Sequence, residues 1–537
     1  MKIEPTEVWK EYWKVHEYCM SRNLYETIKQ NENFYDGRQW EGVDAPDMIK
    51  PTINILQRIG KYQIATLSTN DVAITIIPVS EAEDDITASK LFASEIENVI
   101  EQAKIKETSR LMIRNSFVAG SSYALQTFNP DYDTKQDIKG RIENEIIDCT
   151  NVYFGNPYSN DIQKQPYIII AFRQHISQVK EEARANGLSE DEIAQILPDN
   201  DTEQPNDDSD DLVTVLLKLW KETHEEAETN EIVMPDGTIF ETSTVRKVKT
   251  VHCVKCTHNV TIKKKTDLGY SRYPLACFGW DPIKNSYLYN SPMTSNINNQ
   301  IFINKVYALA ELYAMNGAFP KIVYDKNKID IDDFMESTSI GAVGLDTMGS
   351  LFQYIKSPDF SSQIMGLVDS VISQTKDCMG VNDASLGNVR PDNTSAIIAL
   401  QEASNVPLEI QRQNYYCMWE DLVRNIIDIM ANTYGQRRVL FDGKVADCDF
   451  DILNKLQYQL IIDIGAGSQY SEIAQMNTLD NVFRSIQFDP DVYLESIPDK
   501  YLPNKSKIVQ NVKEKQELMK QQQQAMQGQM PVQTNQL

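Results

Sequence analysis

The chain has 537 residues, 41% of them hydrophobic, enough for about two to four domains with real cores. Its 52 basic and 77 acidic side chains leave a formal net charge of −25, which excludes a protein that coats phosphate backbones through a basic face. No apolar run approaches the ~20 residues of a membrane span, Met1–Pro5 lacks the apolar stretch of a signal peptide, and the eight cysteines are scattered; a cytoplasmically made, reduced protein is expected.

The first third reads as helical. Trp9, Tyr12, Trp13, His16, Cys19 and Met20 recur every three or four residues, one face of a helix opened by Pro5 and Thr6. Phe34-Tyr35-Asp36-Gly37-Arg38-Gln39-Trp40 reads as a turn. A second helix is expected from near Pro51 towards Thr69. A third, long helix follows Asp84-Asp85 and carries Phe92, Ile96, Val99, Ala103, Met112 and Phe117 on a drifting apolar side.

From about Ser121 to Ile262 the pattern changes to strands. Tyr167–Phe172 is an apolar run of strand length, expected to be buried on both faces. A short helix is expected near Gln178–Ala185. Asp199–Asp211 is rich in carboxylates and has no apolar residue, so it reads as a surface insertion. Pro235-Asp236-Gly237-Thr238 predicts a hairpin turn between Ile232-Val233 and Ile239-Phe240.

After Pro292 the chain becomes helical again. Met293–Asn316 reads as one helix, apolar almost all round from Val306 to Met315 with only Glu311 charged. Such a helix must be enclosed, inside a large core or between copies in a ring. A small β module, Pro320–Pro358, follows, with Lys321-Ile322-Val323-Tyr324 as a strand. In the next helix, Asp359–Met379, the residues Ile364, Leu367, Val368, Val371 and Ile372 form an apolar stripe opposite Asp369, Ser373, Lys376 and Asp377. A polar loop, Gly380–Thr394, leads to a long helix, Ser395–Tyr434, which Pro407 should kink. Strands are expected at Arg438–Phe441 and Tyr458–Ile464, then terminal helices over Tyr470–Gln487 and Lys505–Gln524. The tail Gln521–Leu537 is glutamine-rich and disordered by composition.

Candidate chemistry is sparse. His252, Cys253, Cys256 and His258 are zinc-ligand types, but they alternate with polar residues as on a two-faced strand, and no second pair lies nearby. Arg246, Lys247, Lys249, Lys255 and Lys263-Lys264-Lys265 form the basic concentration, readable as a nucleic-acid contact or as the solvated face of an edge strand. Gly465-Ala466-Gly467-Ser468 reads as a turn, lacking the lysine of a P-loop. HExxH, GxSxG and GxxxxGK[ST] motifs are absent, so the sequence offers no enzyme motif and asks for no cofactor.

The order helix, small β module, amphipathic helix, polar loop, long kinked helix resembles the portal (head-to-tail connector) proteins of tailed bacteriophages over most of the chain. Two local strings support it. Phe34–Trp40 is similar to a tyrosine–glycine–tryptophan turn near portal N-termini. Gly380-Val381-Asn382-Asp383 through Asn393-Thr394-Ser395-Ala396 is similar to the portal segment leading into the tunnel loop and its helix. The resemblance implies an α+β subunit: wing 1–292, stem helix 293–317, clip 318–358, second stem helix 359–379 and tunnel loop 380–394. A kinked wing helix with closing strands over 395–469, a small helical crown over 470–520 and the tail 521–537 complete it. The acidic insertion and the short C-terminal part depart from larger relatives, so no long crown barrel is expected.

It further implies a homo-oligomeric ring of twelve at a capsid vertex, passing double-stranded DNA without sequence specificity during packaging and ejection. The partners implied are the terminase large subunit, which supplies the ATPase, then the major capsid protein, scaffold and head–tail adaptor or tail proteins; no membrane is involved. Asp369, Ser373 and Lys376 would line the channel. Asn382, Asp383, Asn388, Arg390, Asp392 and Asn393 would meet DNA in the tunnel loop, and Lys321, Lys326 and Lys328 would lie in the clip. The rival readings are another virion component, such as a minor head or adaptor protein, and an intracellular metal-binding enzyme using Cys253, Cys256 and His258.

Overall fold

In α1 (Pro5–Ser21), Pro5 stands in the first turn, where its missing N–H costs nothing. The buried face is Val8, Val15 and Cys19, narrower than the aromatic spacing predicts: Trp13 and Met20 are exposed. Phe34-Tyr35-Asp36 is not a turn but the last turn of α2 (Leu24–Asp36). Gly37, at φ +89°, then stops that helix with a left-handed residue. The second expected helix is α3 (Ile55–Ser68). The long third helix is instead two, α4 (Glu83–Gln102) and α5 (Ile105–Ala119), separated at Lys104 with φ +52°. The drift of the apolar side marks that change of direction. Each half buries its own stripe, Phe92, Ile96 and Val99 in one, Met112, Ile113 and Phe117 in the other. The computed structural model describes residues 3–44, 49–68, 72–79, 83–133, 139–199, 211–233, 239–318, 321–328, 342–345, 352–355, 362–381, 406–441, 444–454 and 458–464.

Two antiparallel sheets follow. The first has the order β3-β2-β9, from β2 (Ser121–Asp133), β3 (Lys139–Asp148) and β9 (Leu275–Gly279). The second runs β4-β5-β6-β7-β8, from β4 (Val152–Phe154), β5 (Tyr167–His175), β6 (Leu212–Val233), β7 (Ile239–Cys256) and β8 (Thr261–Asp267). In β5, Ile168 to Ala171 are buried without a break, as a strand covered on both faces requires. α6 (Ile176–Ala185) and α7 (Glu190–Ala194) pack on the sheet beside it. Val179, Ala183, Ile193 and Ile196 meet Val213, Val215, Val260 and Ile262 of the sheet. The sequence reading passed over α7, although Ser189 and Glu192 form a capping box there. Asp199 is anchored rather than part of a free insertion, accepting from Thr214 N (2.7 Å) and Oγ1 (2.6 Å); 200–210 lie outside the described residues. The hairpin pairs Val233 with Ile239 as expected, its turn also outside.

A short hairpin, β10 (Asp281–Pro282) and β11 (Tyr289–Asn290), brings the chain to α8 (Pro292–Ala318). Gly120 (φ +95°) and Gly279 make this crossing possible. A Cβ at the first would strike the Tyr289 carbonyl, and at the second the Tyr289 ring. β12 (Lys321–Asp325) is central in a small sheet, parallel to β13 (Ala342–Leu345) and antiparallel to β14 (Phe352–Ile355). α9 (Ser362–Cys378) then returns against α8.

The core helix is α10 (Glu409–Thr433), free of glycine and proline, whose Trp419, Leu422, Val423, Ile426 and Met430 are buried. Asn414 Nδ2 donates to the carbonyl of Gly279 (3.1 Å), and Asn425 Nδ2 to Gln126 Oε1 (3.0 Å), tying the helix to the first sheet. Pro407 sits in a 3-10 turn, Val406–Leu408, directly before α10; 395–405, the part of the expected kinked helix that precedes it, lie outside the described residues. β15 (Gln436–Phe441) pairs with β16 (Lys444–Asp449), a strand the sequence reading missed, and β1 (Val72–Pro78) with β17 (Tyr458–Ile464). The chain divides into a large unit, Met1–Thr69 with Ala73–Asp463, and a small one, Asn70–Val72 with Ile464–Leu537. Of the small unit only Val72 and Ile464 are described, so the Gly465–Ser468 turn, the terminal helices and the tail fall outside.

Candidate assembly and channel surface

Helix α8 divides into two halves. In the first, Met293, Ile297 and Ile303 are buried by the chain itself, so the expectation that copies enclose the helix from Met293 onward is too broad. What seals this half is partly polar. Asn296, Gln300 and Asn304, four residues apart and all buried, form one stripe. Gln300 Nε2 donates to the Ile53 carbonyl (2.7 Å) and to Asn304 Oδ1 (2.9 Å), and Gln300 Oε1 accepts from Ile55 N (3.1 Å). Asn304 Nδ2 donates to Gln39 Oε1, and Gln39 Nε2 to the Phe34 carbonyl. Asn54 Nδ2 donates to the carbonyls of Phe34 (2.8 Å) and Tyr35 (2.9 Å), and Trp40 Nε1 to that of Pro51 (2.8 Å). The Phe34–Trp40 string is thus the cradle that aims α8. The sequence reading missed the three amides, although their four-residue spacing was visible.

The second half is apolar and uncovered. Val306 and Ala308 remain buried, but Leu309 is 54% exposed, Leu312 38% and Met315 48%. On α9, Val368 packs with Ile303 and Val306, supported by Val371 and Ile372, while Leu367 is 52% exposed and Ile364 lies at the surface. Among the described residues the two helices therefore share a narrow core and present a run of large aliphatic side chains to solvent. That is costly at about 25 cal/mol per Å² of apolar area left in water. Thr375 Oγ1 fastens the pair, accepting from Asn299 Nδ2 (3.0 Å) and donating to the Val371 carbonyl (2.7 Å).

Asp369 and Ser373 are exposed on α9, while Lys376, beside the buried Thr375, is half-buried. The helix closes with Gly380 at φ +68° and a bond from Val381 N to the Lys376 carbonyl (2.9 Å). Gln63 Nε2 pins this end through the Met379 carbonyl (2.6 Å). A Cβ on Gly380 would strike Pro407, so the end of α9 lies close against the 3-10 turn that precedes α10. Asn382, Asp383, Asn388, Arg390, Asp392 and Asn393 lie between, outside the described residues.

In the small sheet, Lys328 Nζ pairs with Asp325 Oδ2 (3.2 Å), whose carboxylate is buried, and Asn327 N donates to Asp325 Oδ1 (3.0 Å). Lys326 is exposed, its stem lying over Gly344, and Lys321 opens β12. These lysines share one short segment, but Lys328 is committed within the chain.

Cys253 and Cys256 lie buried on β7, where burial raises both thiols, Cys256 to about 12. His258 packs against Trp9, and His252 stacks on Trp220 with Nε2 3.7 Å from Glu222 and 3.8 Å from Asp267. Among the described residues no three His, Cys, Asp or Glu side chains stand close enough to hold a metal ion. Much of the basic concentration is matched locally, Lys255 by Glu182 and Lys265 by Glu222, both at 2.6 Å. No described helix is long and apolar enough to cross a membrane.

The family model described as phage P22-like portal protein matches residues 15–537. No curated protein matches the sequence.

Proposed function

The chain belongs to the phage P22-like portal protein family, and on that premise we propose that twelve copies form a ring whose axial channel carries double-stranded DNA into and out of the capsid. Membership makes it a structural protein of the virion, a connector used in genome packaging. In our reading α8 and α9 are the stem, the β12–β14 module with Lys321, Lys326 and Lys328 is the clip that meets the terminase and later the head–tail adaptors, and 1–292 with 395–469 is the wing. Asp369, Ser373 and Lys376 face the channel, and Asn382, Asp383, Asn388, Arg390, Asp392 and Asn393 form the tunnel loop. The small crown, 470–520, and tail, 521–537, complete the subunit.

One observation carries this reading: Leu309, Leu312 and Met315 stand exposed on a helix whose other half buries its large aliphatic residues Met293, Ile297 and Ile303. Sister subunits offer the cover that a single chain lacks. A net charge of −25 per subunit suits a conduit that must not hold phosphate. The test is a double substitution, Leu309→Asp with Leu312→Asp. Because both side chains are exposed in one chain, the subunit should keep its melting temperature while rings disappear from the sedimentation profile. Rings at wild-type yield would contradict the reading.

A further inference from the structure

The hairpin of β6 and β7 is far longer than the sheet that holds it. β5 pairs with β6 only as far as Trp220, and β8 with β7 only from His252 on. Beyond those points β6 pairs with β7 from Lys221↔Val251 to Val233↔Ile239. Val251 is also held from outside, its N–H donating to the Tyr270 carbonyl (2.8 Å) and its carbonyl accepting from Leu268 N (2.9 Å). Past it no further ladder is seen among the described residues. At about 3.4 Å per residue this outer ribbon extends about 40 Å. Successive residues of a strand point to opposite faces, and Thr223, His224 and Glu225 are all exposed, as are Lys249 and Lys247, which pair with Thr223 and Glu225, and Arg246 and Val245 beyond them. Over Thr223–Glu225 and Val245–Lys247 both faces of the ribbon are therefore exposed, while nearer the sheet Thr250 and Val251 are buried. An isolated two-stranded ribbon is marginal in water, and native edge strands are usually kept short.

Its two edges differ in charge. β6 carries Glu222 and Glu225, with Glu226, Glu228 and Glu231 further along the strand; β7 carries Arg246, Lys247 and Lys249. Within the ribbon Glu225 and Lys247 stand 3.9 Å apart with both side chains largely exposed, a pairing that contributes little. A strand of carboxylates on one edge and of cations on the other cannot pair favourably with its own kind, since like charges would face each other. It is suited to a head-to-tail contact, in which unlike surfaces meet and the repeat closes into a ring.

We propose that this hairpin is an assembly arm: the β6 edge of one copy pairs antiparallel with the β7 edge of the next, joining the arms into a continuous sheet. The occupant of each edge is a second copy of this chain. The proposal rests on the ring reading above.

Hydrogen exchange on wild-type rings and on dissociated subunits tests it. In a lone arm half of the ladder amides point outward and exchange freely; in the joined sheet they are bonded. Peptides covering 221–225 and 245–249 should exchange at least about tenfold more slowly in the ring. Equal exchange in ring and subunit would overturn the arm while leaving the ring intact. A mixing experiment separates contacts between copies from those within the hairpin. One chain carries Arg246→Glu, Lys247→Glu and Lys249→Glu, the other Glu225→Lys, Glu226→Lys and Glu228→Lys. Each alone should lose its ring fraction, and the mixture should recover rings holding both chains in near-equal number. Failure of the mixture to recover rings, with both variants folded by circular dichroism, would also overturn it. Absence of rings from the wild-type protein would remove the ring reading and the arm with it.

Discussion

Gly120 occupies a left-handed position at the end of α5, with the Tyr289 carbonyl where a side chain would start. Replacing it by alanine adds both backbone strain and a collision with main chain that cannot move aside. We expect Gly120→Ala to cost about 2–4 kcal/mol, read as a lower melting temperature of the dissociated subunit. A melting temperature equal to wild type would contradict the crossing described for β11. The buried cysteines give a second prediction. Cys253 and Cys256 lie buried on β7, and among the described residues no three His, Cys, Asp or Glu side chains come together there to hold a metal ion. Elemental analysis should find zinc far below one per chain. Near-stoichiometric zinc that disappears in Cys256→Ala would show a site on β7.

Among the secondary-structure elements, the sequence was most legible where one period ran unbroken. The apolar run of β5, the stripe of α9 and the extent of α8 follow from spacing alone. Breaks in direction were harder to read. Lys104 is not a residue type that announces a left-handed turn, so α4 and α5 read as one helix. The amide stripe of α8 was overlooked because polar residues in a helix normally mean a solvated face; here Gln300 and Asn304 are buried and bonded to the Phe34–Trp40 cradle. Exposure of Leu309 against burial of Ile303 cannot be read from composition, since both are aliphatic residues on one helix. At this scale the prediction concerns the segment between α9 and α10, whose ends meet at Gly380 and Pro407. Asn388→Ala with Arg390→Ala should leave ring assembly unchanged and lower the yield of DNA-filled heads. An unchanged yield would remove the proposed DNA contact.

The whole molecule carries its net charge unevenly between exposed and desolvated groups. Burial holds Glu95, Glu145, Asp148, Asp281, Asp421 and Asp428 above the ordinary carboxylate range. Each keeps its proton in the fold at a pH where the unfolded chain has released it. That stabilisation is complete below the unfolded values, near pH 4, and is lost as pH rises through the raised ones. His16, lowered by burial, acts oppositely, because the unfolded chain takes up its proton more readily as pH falls. Asp161, Glu190 and Glu222, held low by hydrogen bonds from Lys164, Arg184 and Lys265, also act oppositely, but their effect falls below the unfolded carboxylate range. Between pH 5 and pH 7 the six raised carboxyl groups, with a net charge of −25 adding repulsion, give the sign. The dissociated subunit should melt higher at pH 5 than at pH 7; the reverse order would contradict the burial assigned to these groups.

Class-averaged electron micrographs of the purified wild-type protein test the central claim, that the bare outer half of α8 is covered by sister subunits. The account predicts annular particles with a central hole near the ~20 Å width of a DNA duplex and with Leu309 and Leu312 at the contact between copies. A population of compact single subunits, persisting at the concentrations where capsids assemble, would contradict it.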